Sequence, residues 1–110
     1  MQTMNLRTYE ERRRLESLAP AELRAFQLDR LNQMLGEILP ANRFYASKLA
    51  DVPLPLKSLD DLSKLPFTYK DELLTTQNHG TAANLTYPRE RYVRFHQTSG
   101  TRGRPLVVLD

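Results

Sequence analysis

The sequence predicts a mixed α/β protein in which helices come first and a strand–loop–strand unit follows. Three observations carry that prediction. Between Pro20 and Pro40, apolar residues recur at helical spacing: Leu23, Leu28, Leu31, Met34, Leu35, Ile38 and Leu39. From Tyr92 the period falls to two, with Val93 and Phe95 alternating with Arg94, His96 and Thr98. Leu106-Val107-Val108-Leu109 then makes a short continuous apolar run that reads as a strand buried on both faces.

Residues 1–18 are polar and rich in arginine (Arg7, Arg12, Arg13, Arg14) and read as a frayed or helical lead-in with a solvated basic face. Pro20 suits a first helical turn and Pro40 closes the helix. At about 100° per residue the apolar positions cover an arc of about 160°, so this helix should be covered on more than one side. Phe26 falls outside the arc, among Glu22, Gln33 and Glu37. It reads as a contact for a part of the protein not present, or as a singly exposed aromatic.

Asn42 should cap a shorter helix opened by Arg43-Phe44-Tyr45, with Leu49 on its apolar side. Pro53 and Pro55 demand an extended linker. Ser58 with Asp61, and Thr68 with Asp71, each place a hydroxyl three residues before an acid, as at a helix start. Leu59, Leu62 and Leu65 form the apolar side of the first of these, Leu73 and Leu74 that of the second, and Pro66 separates them. Asn78-His79-Gly80 is a turn signal. The expected organisation is a lead-in over 1–19, a helical segment over 20–90 and the start of an α/β domain over 91–110. A hairpin with a free apolar edge needs further strands to cover it. The chain therefore reads as the N-terminal piece of a larger protein, with a stand-alone product as the alternative.

Composition excludes several classes of function. The chain has 110 residues, a 40% hydrophobic and 26% charged make-up, and a net charge of +3, an ordinary soluble balance that does not by itself point to nucleic acid. No apolar run approaches the length needed to span a bilayer, and no secretory signal is readable. The absence of cysteine rules out disulfides, thiolate zinc sites and a cysteine nucleophile, and fits a cytoplasmic location. With only His79 and His96, a histidine-rich metal site is not expected.

The stretch between the two strands carries the chemistry. Thr98, Ser99, Gly100, Thr101, Arg102, Gly103 and Arg104 bring together three hydroxyls, two glycines and two arginines before Pro105. Consecutive N–H groups in a glycine-containing turn form a concave nest for phosphate oxygens. Gly100 and Gly103 permit the positive φ values such a nest requires. The hydroxyls add hydrogen bonds, and the arginines add charge and forked donors. A Walker A loop does not fit, for want of a Gly-Lys pair opening a helix. The dinucleotide fingerprint lacks its third glycine. Ser99 has neither a nucleophile-elbow setting nor a paired His–Asp, and no catalytic residue is assigned. A hairpin turn without a ligand remains the plain alternative.

Thr98-Ser99-Gly100-Thr101-Arg102-Gly103-Arg104-Pro105 resembles the phosphate loop of the acyl-adenylate-forming (AMP-binding) enzymes, Ser/Thr-Ser-Gly-Thr-Thr-Gly-x-Pro. Upstream segments are similar to one branch, the phenylacetate–CoA ligases. Asn42-Arg43-Phe44-Tyr45 is similar to its Asn-x-Pro-Phe-Tyr, and Leu65 to Leu73 to its Leu-Pro-Phe-Thr-x-Lys-x-x-Leu. Arg94-Phe95-His96-Gln97 is similar to its Arg-Ile-His-Ala strand.

The resemblance implies an acid–CoA ligase using ATP, Mg²⁺ and coenzyme A. It implies that Thr98, Ser99, Gly100, Thr101 and Gly103 cradle the β- and γ-phosphates, with Arg104 neutralising departing pyrophosphate. Arg102 departs from the pattern by replacing the second threonine, and Leu106 stands where the wider superfamily has lysine. The family's adenine pocket, Mg²⁺-binding acid and catalytic lysine lie beyond this loop, so the chain alone is expected to be inactive.

Two other readings come from different classes. Arg102-Gly103-Arg104-Pro105 is the Arg-Gly-Arg-Pro core of AT-hook peptides, which lay arginines into the minor groove of A·T-rich DNA. Its strand-like flanks are unlike the disordered basic flanks usual for such peptides. The third reading is a helical interaction module that meets a partner through Phe26 and the basic N-terminus. His96 shares a strand side with Thr98 and so faces either the ligand or plain solvent, and His79 is a turn residue. Neither the carboxylic acid nor the oligomeric state is readable.

Overall fold

The computed structural model describes residues 7–75, 84–100 and 103–110. It contains helices followed by one antiparallel hairpin, in the predicted order. The lead-in takes its helical form as α1 (Tyr9–Glu16). A capping box drives this: Thr8 Oγ1 accepts from the Glu11 N–H at 3.2 Å, and Glu11 Oε2 accepts from the Thr8 N–H at 2.7 Å. No residue of α1 is buried.

Helix α2 (Pro20–Ile38) starts with Pro20 in its first turn and is the spine of the molecule. Leu35 on α2 joins Leu49 and Leu56 in the buried core, with Leu28, Leu31, Ile38, Leu39, Tyr45, Val52, Leu54 and Leu65 packed around them. The core covers one side of α2, and Arg7 at Phe26 and Tyr87 at Glu37 lie on the other, while Met34 stays 51% exposed. Phe26 is not singly exposed. It is half-buried under the Arg7 guanidinium, 5.4 Å from the ring centroid, in a recess shared with Arg14 and Leu15.

Asn42 caps α3 (Arg43–Lys48) as predicted, its Oδ1 accepting from the Tyr45 N–H at 3.0 Å. The proline linker is bent, not extended, with a cis Leu54–Pro55 peptide. The bend carries Leu54 and Leu56 into the core. Asn32 holds it there by donating to the Leu56 carbonyl and accepting from its N–H, each at 2.8 Å.

The Ser58/Asp61 start yields a 3-10 helix over Leu59–Lys64, not an α-helix. Ser58 Oγ accepts from the Asp60 N–H and Asp61 Oδ2 from the Lys57 N–H. Pro66 forces Leu65 into extended backbone, which leaves too few residues for α-turns to propagate. The next start is displaced by one residue. Helix α4 (Lys70–Thr75) is opened by Tyr69, whose N–H donates to Glu72 Oε2 at 2.7 Å. Thr68 Oγ1 is paired with the Tyr45 hydroxyl at 3.1 Å instead. The Asn78–Gly80 turn lies outside the described residues.

Residues 84–92 run back along α2 and α3. Asn42 Nδ2 donates to Asn84 Oδ1 at 2.7 Å and to Thr86 Oγ1 at 3.2 Å. The Tyr87 hydroxyl donates to Glu37, and this raises the Tyr87 pKa. The Tyr92 hydroxyl oxygen accepts from the N–H groups of both Thr86 and Tyr87. The chain then enters β1 (Phe95–Gln97), which pairs with β2 (Val107–Leu109) in the register Phe95↔Leu109, His96↔Val108, Gln97↔Val107.

Burial of the hairpin differs from expectation. Strand β1 is exposed on both sides, with Phe95 at 61%. Leu106, just before β2, and Val107 within it are buried, but Val108 is 46% exposed, so the run is only partly covered. The cover comes from Leu73, Asn84 and Leu85, which line a small recess with Val107, Val108 and Leu109.

Candidate functional site

The strand–loop–strand unit positions the candidate site, and its base is closed by one residue pair. The Thr98 N–H donates to the Leu106 carbonyl at 2.9 Å, and the Leu106 N–H donates back to Thr98 Oγ1 at 2.8 Å. The Thr98 hydroxyl therefore serves the frame of the loop, a role not expected from sequence. Pro105 follows the turn, as its fixed φ and missing donor allow, and Leu106 resumes the ladder.

Both glycines take the backbone predicted for them, Gly100 at φ 70° and Gly103 at φ 121°. The Gly103 N–H closes the turn onto the Gly100 carbonyl at 3.2 Å. A Cβ on Gly100 would stand 2.9 Å from the Gly103 carbonyl oxygen and 3.1 Å from Pro105 Cδ, so the turn has no room for one. Ser99 is exposed beside it, while Thr101 and Arg102 lie outside the described residues.

Arg104 is exposed, and its guanidinium donates to the carbonyl of Leu74 near the end of α4. His96 and Arg94 both approach the Asp110 carboxylate, at 3.8 Å and 3.7 Å. The structure thus brings Thr98, Ser99, Gly100, Gly103 and Arg104 into one turn and directs His96 to Asp110.

Helix α4 is tied in turn to α3. Lys48 Nζ lies 2.5 Å from Glu72 Oε1, with the Lys48 side chain only 13% exposed and 5.9 Å from the Phe44 ring centroid. The hydrogen bond from Lys48 holds the Glu72 carboxyl below its ordinary value. Sequence reasoning missed this pair, since nothing local marks two residues 24 apart as neighbours. It also missed Leu74, whose part is played by a main-chain carbonyl.

Among the described residues no group of three or more His, Asp or Glu could hold a metal ion. Among them, too, no helix is long and apolar enough to cross a membrane. The exposed Ser99 hydroxyl and the exposed Arg104 guanidinium suit an anion, and the described part of the turn presents no carboxylate to oppose one.

No protein-family model matches the chain. Individual proteins do. The phenylacetate-coenzyme A ligase of Thermus thermophilus is 35% identical over 97 residues, 86% of this chain and 21% of that protein. The enzyme of the same name from Aromatoleum evansii is 40% identical over the same length and coverage. That of Pseudomonas putida is 36% identical. The chain spans about one fifth of the length of these curated relatives. Over the matched residues it is related to part of the phenylacetate–CoA ligases.

Proposed function

We propose that the chain is the N-terminal part of an ATP-dependent acid–CoA ligase, and that Thr98–Arg104 grips the β- and γ-phosphates of ATP. The observation that carries this reading is the turn itself. It passes through Gly100 and Gly103 at positive φ between paired strands, on a chain related to proteins named phenylacetate-coenzyme A ligase.

In the proposed reaction a carboxylate oxygen attacks the α-phosphorus of ATP, the bond to the bridging oxygen breaks, and pyrophosphate leaves. The acyl-adenylate then passes its acyl group to the thiol of coenzyme A and releases AMP. The part of the turn is to hold the phosphate tail in place and to accept its growing charge with donors already aimed. Thr98 keeps the turn closed at its base. Ser99, Gly100, Thr101, Arg102 and Gly103 line the cradle, and Arg104 completes the site. Mg²⁺ and coenzyme A enter through the relationship to the ligases, and none of the described residues is assigned to hold either. The proposed compartment is the cytoplasm, which the absence of cysteine fits.

Exchange of labelled pyrophosphate into ATP tests the reading, with phenylacetate as the first acid offered. The intact ligase polypeptide that carries these residues is expected to exchange, and the 110-residue chain by itself to give no signal above background. Gly100→Ala in the intact polypeptide should lower exchange by about 100-fold, since both the positive φ and the crowded Cβ position displace the aimed donors. Nucleotide bound to the intact protein without touching Ser99, Gly100 or Gly103 would overturn the assignment.

A further inference from the structure

We propose that Arg104 is a positioning residue: it tethers the glycine turn to the C-terminal end of α4 and so holds the turn in the shape that receives phosphate. This rests on the phosphate-loop reading above and gives one member of that loop a distinct task.

The argument starts from α4. Its first turn carries Asp71 and Glu72, but its last turn carries no basic residue. The last carbonyls of any helix lack intrahelical donors and form the negative end of its dipole. For α4 a cation arrives from 30 positions along the chain, where the Arg104 guanidinium donates to the Leu74 carbonyl. A helix of six residues gains little from its own hydrogen bonds, so an outside partner at its end has a large share in its order.

The tether reaches the turn without slack. Arg104 directly follows Gly103, whose N–H closes onto the Gly100 carbonyl, and directly precedes Pro105, whose Cδ would lie 3.1 Å from a Cβ placed on Gly100. A shift of the Arg104 backbone is therefore a shift of the turn. At the other post Thr98 is fixed to Leu106 by two hydrogen bonds. Helix α4 is a firm mooring, because Glu72 is held by the largely covered Lys48 ammonium at 2.5 Å. A connected path thus runs from α3 through Lys48, Glu72, α4 and Arg104 to the neighbouring Gly103, whose N–H bonds the Gly100 carbonyl. By linkage, whatever orders the turn orders α4, and the reverse also holds.

Hydrogen–deuterium exchange followed by mass spectrometry on the intact polypeptide tests the tether. Arg104→Ala should raise the exchange rate of the amides of 71–75 about fivefold, the scale of losing one charge-assisted hydrogen bond at an exposed site. Arg104→Lys keeps a donor and a charge and should recover part of the protection. Ser99→Ala should leave α4 unchanged. Unaltered α4 exchange in Arg104→Ala overturns the proposal.

A second arm adds ATP with Mg²⁺. Protection of α4 by nucleotide in the wild type, lost in Arg104→Ala, supports the positioning role. Protection of the turn with no response in α4 overturns it. If ATP leaves residues 98–104 unprotected in the wild type, the phosphate-loop reading fails by itself, and the tether still stands or falls on the first arm.

Discussion

Asn42 shows how much a single side chain carries in this chain. It is 2% exposed and the only buried polar residue among those described. Its amide oxygen caps α3, while its amide nitrogen reaches Asn84 and Thr86, 42 and 44 residues away. A cap and a long-range clasp thus share one side chain. Asn42→Ala removes both and leaves half-buried partners without these bonds, a loss expected to be about 2 kcal/mol. Asn42→Asp keeps the cap acceptor but loses the donor and should cost less. Urea denaturation of the three proteins checks the order. Equal stability of Ala and Asp variants would show that the cap contributes nothing.

At the scale of elements, the contact between α3 and α4 is electrostatic and so depends on pH. The Glu72 carboxyl is held below its ordinary value, chiefly by the hydrogen bond from Lys48. A carboxyl with a lowered folded-state pKa contributes stability above its ordinary value. That contribution is lost as pH falls from the ordinary value through the lowered one. Acidification should therefore raise amide exchange in α4 over that window, before the rest of the helical segment responds. Lys48→Met should shrink the pH step at α4 and leave the smaller part due to the Tyr69 N–H bond to Glu72, and an undiminished step in this variant would show that Lys48 does not hold the carboxyl. The bent linker makes a related point about elements. Pro53 and Pro55 stop regular structure, but Asn32 on α2 decides where the stopped chain goes.

Across the whole molecule, the uncovered surface is the informative part. The radius of gyration is 16.8 Å, against about 13 Å for a compact domain of this length. Val93 at 86%, Phe95 at 61% and Val108 at 46% exposure leave apolar side chains of the hairpin uncovered. Phe67 at 79% and Tyr69 at 63% add a T-shaped aromatic pair elsewhere on the surface. Side chains of this kind drive association when nothing covers them. The isolated chain is expected to bind a hydrophobic dye and to self-associate as its concentration rises, with Val93→Thr and Phe95→Thr together cutting the dye signal by about half. Sedimentation velocity with dye titration measures both effects. A monomeric chain that leaves the dye dark would show that these faces are shielded.

Local rules sufficed wherever a residue acts on its immediate neighbours. The span of α2, the Asn42 cap, the hairpin and the positive φ of Gly100 and Gly103 follow from periodicity, capping chemistry and the special freedom of glycine. These were legible because each is settled within a few bonds of the residue concerned. Tertiary structure alone decided the pairing of Lys48 with Glu72, the clasp of Asn32 on Leu56, the cover over Phe26 and the hold of Arg104 on Leu74. It also decided that Thr98 closes the loop base and that β1 stays bare. Those outcomes depend on which segments meet after the chain has folded back on itself, and a side chain's type does not state its distant partner.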